Sequence, residues 1–371
     1  MRKCILSLIA VFFFVVAAPS RAIDTLPSQL SDEAFWKLFT DFSEPGGAFT
    51  GENYVSNELK YADLIANLQK TSKPGDVYIG VGPEQNFNYI ASTRPKMAFV
   101  IDIRRQNAIE HLMYRALFEL SPDRATFLSR LFSRERPAGL SEISTVNGLM
   151  RAYSPLPENP VAFTRTMQDV RNKLERDHSF ALSADDFAAI AKILKVFSQQ
   201  GTGTNYASDS AVGARVARGE IGIFPTYAAL MEASDSNGKV WSYLSSEETY
   251  RFVRDMETKG LIVPVVGDFG GPKALRSIGQ YVRDHDAIVH VFYTSNVETY
   301  LLQRNGSLPV VNGGWKAYMA NVSSLPTNDS SVFLRWETTQ NPGRIDLIRD
   351  TLQADGDGKI TTFADLIRNR K

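Results

Sequence analysis

The apolar positions of this 371-residue chain fall into two rhythms. One is a set of short, almost wholly apolar runs: "VYIG" at 77–80, "MAFVIDI" at 97–103, "LIVPVV" at 261–266 and "AIVHVFY" at 287–293. Each closes on a glycine, an acid or a small polar residue. A strand with one wet face alternates apolar and polar positions, whereas one buried on both faces of a parallel sheet is apolar throughout. The other rhythm is helical. Ile109, Leu112, Met113, Ala116 and Leu117 recur on one face, as do Ala274, Leu275, Ile278, Tyr281 and Val282. Strands alternating with amphipathic helices predict an α/β fold with a doubly wound, mostly parallel sheet.

The flanking pattern divides the chain further. Residues 23–75 read as a helical lead-in, with Ser31 as cap and Phe35, Leu38, Phe39 and Phe42 on one face. Residues 76–120 form the first half of a Rossmann-like domain. Residues 121–240 read as a mostly helical insertion. In it "SPDRATF" offers a cap with proline at the first helical position, and Ser183 with Asp186 has capping-box spacing. Residues 241–371 return to the sheet pattern and end in a tail, where "VFLRWETT" predicts a strand and "RIDLIRDTLQ" a helix. No internal repeat is visible.

The first residues change the picture. "MRK", an apolar run from Cys4 to Pro19, and small residues at Ser20 and Ala22 have the layout of a secretory signal over residues 1–22. The run is shorter than the about 20 residues a spanning helix needs. Export to the periplasm or the medium is the expectation, with no membrane association after cleavage. Cleavage would also remove Cys4, the only cysteine, and with it any intramolecular disulfide. Acidic and basic residues balance at 41 each, so no basic face calls for nucleic acid.

The chemistry gathers at the strand ends. "IGVGPEQNFNYIA" is a glycine turn opening a helix, and the next strand ends on Asp102. The spacing from Gly80 and Gly82 to Asp102 is similar to motif I and the second-strand acid of class I S-adenosylmethionine-dependent methyltransferases, and "VVGDFGG" resembles their later acid-tipped strand. More closely, "YVSNE", "IGVGPEQNFNYIA", "DIRRQN" and "LIVPVVGDFGGPKALRSIGQYV" resemble a bacterial family of unknown function whose members are described as methyltransferase-like. The resemblance covers roughly residues 50–135 and 220–335. It implies a class I methyltransferase type of sheet and S-adenosylmethionine as the cofactor. Gly80, Gly82, Pro83 and Asn86 would shape the turn, Asp102 would accept from ribose hydroxyls, and Asp268 and Phe269 would flank an adenine. Arg104 and Arg105, directly after Asp102, suit a phosphate or carboxylate better than a sulfonium. Asn57, Glu58, Tyr293 and Asn296 are the substrate-side candidates, reaching the same crevice from a loop and a strand end.

Other chemistries lack their motifs. No G-x-x-x-x-G-K-[ST] loop, G-x-S-x-G elbow or H-E-x-x-H pair is present. The four histidines have no zinc spacing, so no metal is expected. "ADGDGKITTFADL" near the C-terminus suggests a calcium loop, but Gln353 and Ala364 stand where carboxylates belong. Three readings stay open: an exported binding protein for a small molecule, an active methyltransferase on a small molecule, and a scaffold or interaction protein without catalysis.

Overall fold

The structure, a computed structural model, describes residues 24–49, 51–70, 77–208, 210–302, 314–336 and 343–368. The expected signal at 1–22 lies outside the described residues. Among those described, no helix is long and apolar enough to cross a membrane.

Two helices lead in, α1 (Asp32–Phe42) and α2 (Tyr61–Leu68). Ser31 caps α1 by accepting from the Ala34 amide, which places Phe35, Leu38 and Phe39 in the core. A single sheet follows: β1 (Val77–Gly80), β2 (Met97–Asp102), β3 (Ile262–Val266), β4 (Val289–Ser295), β5 (Val332–Arg335) and β6 (Arg344–Leu347). Its order is β3-β2-β1-β4-β5-β6. The first five strands run parallel, and β6 lies antiparallel to β5. Every residue of β1, β2, β3 and β5 is buried, because helices cover both faces.

The chain enters the sheet at its centre. It builds outward from β1 through β2 to β3, then crosses back to lay β4 and β5 on the other side of β1. Neighbouring connections therefore diverge between β1 and β4. In an open α/β sheet, a crevice forms beyond the carboxyl ends of the strands at such a point.

Helix α3 (Gln85–Thr93) joins β1 to β2, and α4 (Arg105–Glu119) follows β2. The insertion contributes α5 (Arg124–Leu131), α6 (Val146–Tyr153), α7 (Pro160–Arg171), α8 (Ala184–Gln200), α9 (Ser210–Ala217) and α10 (Tyr227–Glu232). Then come α11 (Glu247–Thr258), α12 (Ala274–Asp284), α13 (Val297–Leu302) and α14 (Gly314–Ser323), with α15 (Ile348–Gly356) and α16 (Phe363–Arg368) after the sheet.

Two expectations are refined. Helix α4 has one apolar face in the sequence, yet every residue from Asn107 to Phe118 is buried. One side packs on β2 and β3, and α8 and α11 cover the other. Phe118 stacks on Phe127 of α5 at 4.6 Å and meets Phe87 of α3 edge-on at 5.3 Å. Sheet and insertion thus share one core. The second is "RIDLIRDTLQ", whose first four residues are strand β6 rather than helix. A period of two over so short a run is masked by the helical stretch that follows, and pairing with β5 decides it.

Candidate binding crevice

A crevice of about 310 Å³ opens at the carboxyl ends of β1, β2, β3 and β4. Val55, Val81, Ile101, Ile103 and Phe269 supply apolar walls. Of the residues read from the sequence, the structure brings Gly82, Pro83, Asp102, Arg104 and Asp268 to this lining, with Phe269, Asn57, Tyr293 and Asn296. Gly80, Asn86 and Glu58 are not in the lining. They stand behind it.

The glycine turn is built from within. Asn86, fully buried on α3, donates through Nδ2 to the carbonyls of Val81, Gly82 and Pro83 at 3.0, 2.9 and 2.7 Å. Its Oδ1 accepts from the Tyr78 hydroxyl at 2.9 Å. The amide is committed to holding the turn. A Cβ on Gly80 would lie 1.9 Å from Asn86 Oδ1, so Gly80 makes room for that amide rather than for a ligand. Gly82 differs. It sits at φ +80°, and a Cβ added there would have no described atom within 4 Å, so its backbone faces open crevice. From α4, His111 Nε2 donates to the Gly82 carbonyl at 2.9 Å, which fixes the tautomer. Burial pushes the His111 pKa down to about 4, against the opposing pull of the Gly82 carbonyl and Asp102.

Asp102 at the tip of β2 carries its own cation. Oδ1 accepts from the Arg104 amide and Nε at 2.9 Å each, and Oδ2 accepts from Arg104 Nη2 at 2.8 Å. With about four lone-pair directions on a carboxylate, one on Oδ2 stays open to a ligand donor. Burial works against the Arg104 charge, but Asp102 beside it more than offsets this and holds the pKa above the ordinary arginine value. Arg104 also donates to the Gly51 carbonyl and lies over the Phe49 ring. Arg105 does not reach the crevice. It forms a bidentate pair with Asp186, the capping-box acid of α8.

The turn after β3 is closed in the same manner. Asp268 Oδ1 accepts from the Gly270 amide at 2.8 Å. Phe269 stacks on Tyr318 and meets Phe292 edge-on, so only part of it serves the crevice wall. The Glu44 carboxylate accepts from the Lys273 and Ala274 amides at 2.8 and 2.7 Å. An anion of the protein itself thus fills the α12 N-terminus.

The β4 side holds its acids with uncharged donors. Glu58 is buried; its Oε2 accepts from the Tyr293 hydroxyl at 2.7 Å and its Oε1 from Ser295 Oγ at 2.5 Å. Burial pushes its pKa up to about 8, opposed by those two hydrogen bonds and reinforced by Glu84. Glu84, also pushed up to about 8 by burial, accepts from the Ser56 amide at 3.2 and 3.1 Å. Glu110 on α4 is raised as well, again by burial and then by Glu84, with Arg104 opposing.

Several lining residues were not singled out from the sequence. Phe49 and its glycine-rich approach cross the top of β2, where a Cβ on Gly47 would lie 2.5 Å from the Ile103 side chain. Tyr206 comes from the insertion and Tyr300 from α13. An aromatic inside the glycine-rich "GTGTNYASD" is the one sequence signal that would have marked Tyr206. Burial and then Tyr300 push its pKa up to about 12. Arg218, Tyr227 and Tyr243 lie outside the crevice lining. Arg218 pairs with Glu220, and the two tyrosines bond to each other inside the core. Among the described residues, no group of three His, Cys, Asp or Glu side chains could hold a metal ion. In the C-terminal stretch, Asp355 accepts from Trp315 Nε1 and Asp357 from Gln353 and Lys359.

No curated protein matches the chain. Residues 54–351, which contain all six strands, match the model of a family described as a domain of unknown function, DUF7790, and the chain belongs to that family.

Proposed function

We propose that this is an exported, methyltransferase-like protein that binds a small molecule in the crevice beyond β1 and β4. The ligand it suits has an apolar body and carries hydrogen-bond donors. The observation behind this is the balance of charge in the lining. Asp102 and Asp268 offer carboxylates, while Arg104, the cation of the lining, is committed to Asp102 and Gly51. With Arg105 tied to Asp186, little remains to attract an anion.

A second reading is favoured by Gly82. Its left-handed backbone with open space in front is a cradle of the kind an adenosyl cofactor uses, beside the open lone pair of Asp102. On that reading Gly82, Asp102, Asp268 and Phe269 would hold S-adenosylmethionine, which would supply the methyl group. Its ammonium and sulfonium charges suit a lining that is acidic on balance.

Calorimetric titration of residues 23–371 with S-adenosylmethionine, S-adenosylhomocysteine and adenosine tests both readings, with Asp102→Asn alongside. Micromolar binding of the adenosyl compounds, weakened in the variant, supports the methyltransferase. Binding of adenosine alone supports a nucleoside-type binding protein. Absence of binding to all three at millimolar concentration removes the adenosyl readings and leaves other donor-bearing ligands to a thermal-shift panel. Failure of that panel too would turn the crevice into a scaffold feature.

A further inference from the structure

Ser295 closes β4 at φ +51°, a left-handed conformation that residues other than glycine seldom take. Helix α13 begins two residues later. Ser295 lines the crevice, with its hydroxyl 2.5 Å from Glu58 Oε1. Glu58 itself is buried and outside the lining, so it reaches the crevice through Ser295 and Tyr293. A strained strand-to-helix turn, a serine in the crevice lining and a carboxylate hydrogen-bonded behind it form the arrangement that activates a serine nucleophile. The sequence signal for such an elbow is absent because Tyr293 and Val297 stand where glycines usually flank the serine.

We propose that Ser295 is a nucleophile for acyl transfer, with Glu58 as its proton acceptor, acting on a small carboxylic ester held in the crevice. This rests on the reading of the crevice as a ligand site. In the first step Ser295 Oγ bonds to the ester carbonyl carbon as its proton passes to Glu58. The carbon–oxygen bond to the alcohol then breaks, and the leaving oxygen takes the proton from Glu58. Water repeats the sequence on the acyl-enzyme, giving the carboxylic acid and free Ser295. Asn57 and Asn296 line the same crevice, and an amide from either would serve as the oxyanion donor. The reaction needs only water, which suits an exported protein.

The titratable groups facing Glu58 are Glu84, Tyr78, Tyr89 and Tyr293. Since burial raises Glu58 to about 8, its basic form dominates only above that pH. The proposal is therefore tested with a fluorophosphonate probe from about pH 6 to pH 9, with the adduct located by peptide mass spectrometry. Wild type is expected to take one adduct, on Ser295, at a rate that rises through about pH 8. Ser295→Gly should take none. Glycine adopts φ +51° without strain, so that variant stays folded, and its melting temperature checks this. Glu58→Gln should react about 100-fold more slowly and lose the pH dependence. No adduct on wild type, an adduct elsewhere, or one that persists in Ser295→Gly overturns the nucleophile. An unchanged pH profile in Glu58→Gln overturns the role of Glu58. Calorimetric binding of adenosine or S-adenosylmethionine to the wild type keeps the crevice reading standing whichever way the labelling falls.

Discussion

The β2 and β4 ends of the crevice hold their acids in opposite ways. At β2, Asp102 meets a guanidinium on both oxygens, and the charges stay paired in a buried setting. At the β1 and β4 ends, Glu84 and Glu58 have amide and hydroxyl donors but no cation among the described residues, and burial pushes both to about 8. The same residue chemistry therefore gives a fixed dipole at one end and a proton store at the other. The deciding factor is whether a counter-charge is within reach, because hydrogen bonds alone do not offset the loss of water around a carboxylate. A ligand spanning the crevice meets an ion pair at one end and, at the other, the hydroxyl groups of Tyr293 and Ser295 backed by a glutamate whose pKa is raised.

The largest effect that separates the two ends is the pH dependence of stability. Both glutamates have folded pKa values above their unfolded values, which lie near 4.5. Between about 4.5 and 8 the unfolded chain releases protons that the folded chain keeps. Their contribution is therefore complete below the unfolded value and is lost as pH rises through the folded one. Together they are worth several kcal/mol, at roughly 1.4 kcal/mol per unit of pKa. His111, lowered to about 4, acts in the opposite direction below its unfolded value of 6.5, while Glu110, Glu257 and His178 are raised and act in the same direction as the two glutamates, so from about pH 6.5 to 9 the variants rather than the wild type alone isolate Glu58 and Glu84. Urea unfolding across that window should show stability falling, with a shallower slope in Glu58→Gln and in Glu84→Gln. A flat wild-type profile would erase the contrast between the two ends.

Next in size is the pair at β2. Arg104→Ala leaves the Asp102 carboxylate buried without its cation, at an expected cost of about 3–5 kcal/mol. The double variant Asp102→Ala, Arg104→Ala removes both charges and should recover a large part of that loss. Denaturant midpoints of the two single variants and the double variant form the test. Losses that simply add would mean the pair is not coupled, and the β2 end would then resemble the β4 end.

Much of this was legible in the sequence where one local rule decides the outcome. The strands were readable because burial on both faces leaves them mostly apolar, with polar residues gathered toward their ends. Asp102 and Asp268 were readable because they end such strands. What escaped depends on residues far apart in the chain or on competing patterns. Phe49, Tyr206 and Tyr300 meet at one crevice from three separate segments, and nothing in their spacing shows it. Strand β6 is too short to outweigh the helical period that follows it. Arg104 was read as a ligand contact, yet its nearest acid sits two residues back on the same strand end. The spacing alone allowed a partner there or a free guanidinium. The hydrogen bond from Asn86 back to Val81 belongs to the same group, since a side chain on the next helix can either line a turn or brace it from behind.

The glycine turn gives the smallest effect and the sharpest division. The sequence treats Gly80 and Gly82 alike, as two places where a ligand approaches the backbone. The structure separates them. At Gly80 an added methyl meets Asn86 Oδ1 at 1.9 Å and the Tyr78 hydroxyl at 2.6 Å. Asn86 cannot yield without releasing the carbonyls of the turn, so Gly80→Ala should cost about 1–3 kcal/mol as an overpacked core does. At Gly82 an added methyl meets no described atom, and the expected cost is about 1 kcal/mol for the left-handed backbone. Binding should rank the two in reverse. The Gly82 methyl projects into the crevice and should weaken any ligand that rests on the turn, while Gly80→Ala, where folded, keeps the crevice surface unchanged. Melting temperatures and ligand titrations on the two variants read this directly. If Gly80→Ala weakens binding more than Gly82→Ala at a temperature where both are folded, then the turn yields when its brace is disturbed, and Asn86 acts on the ligand through the backbone it holds.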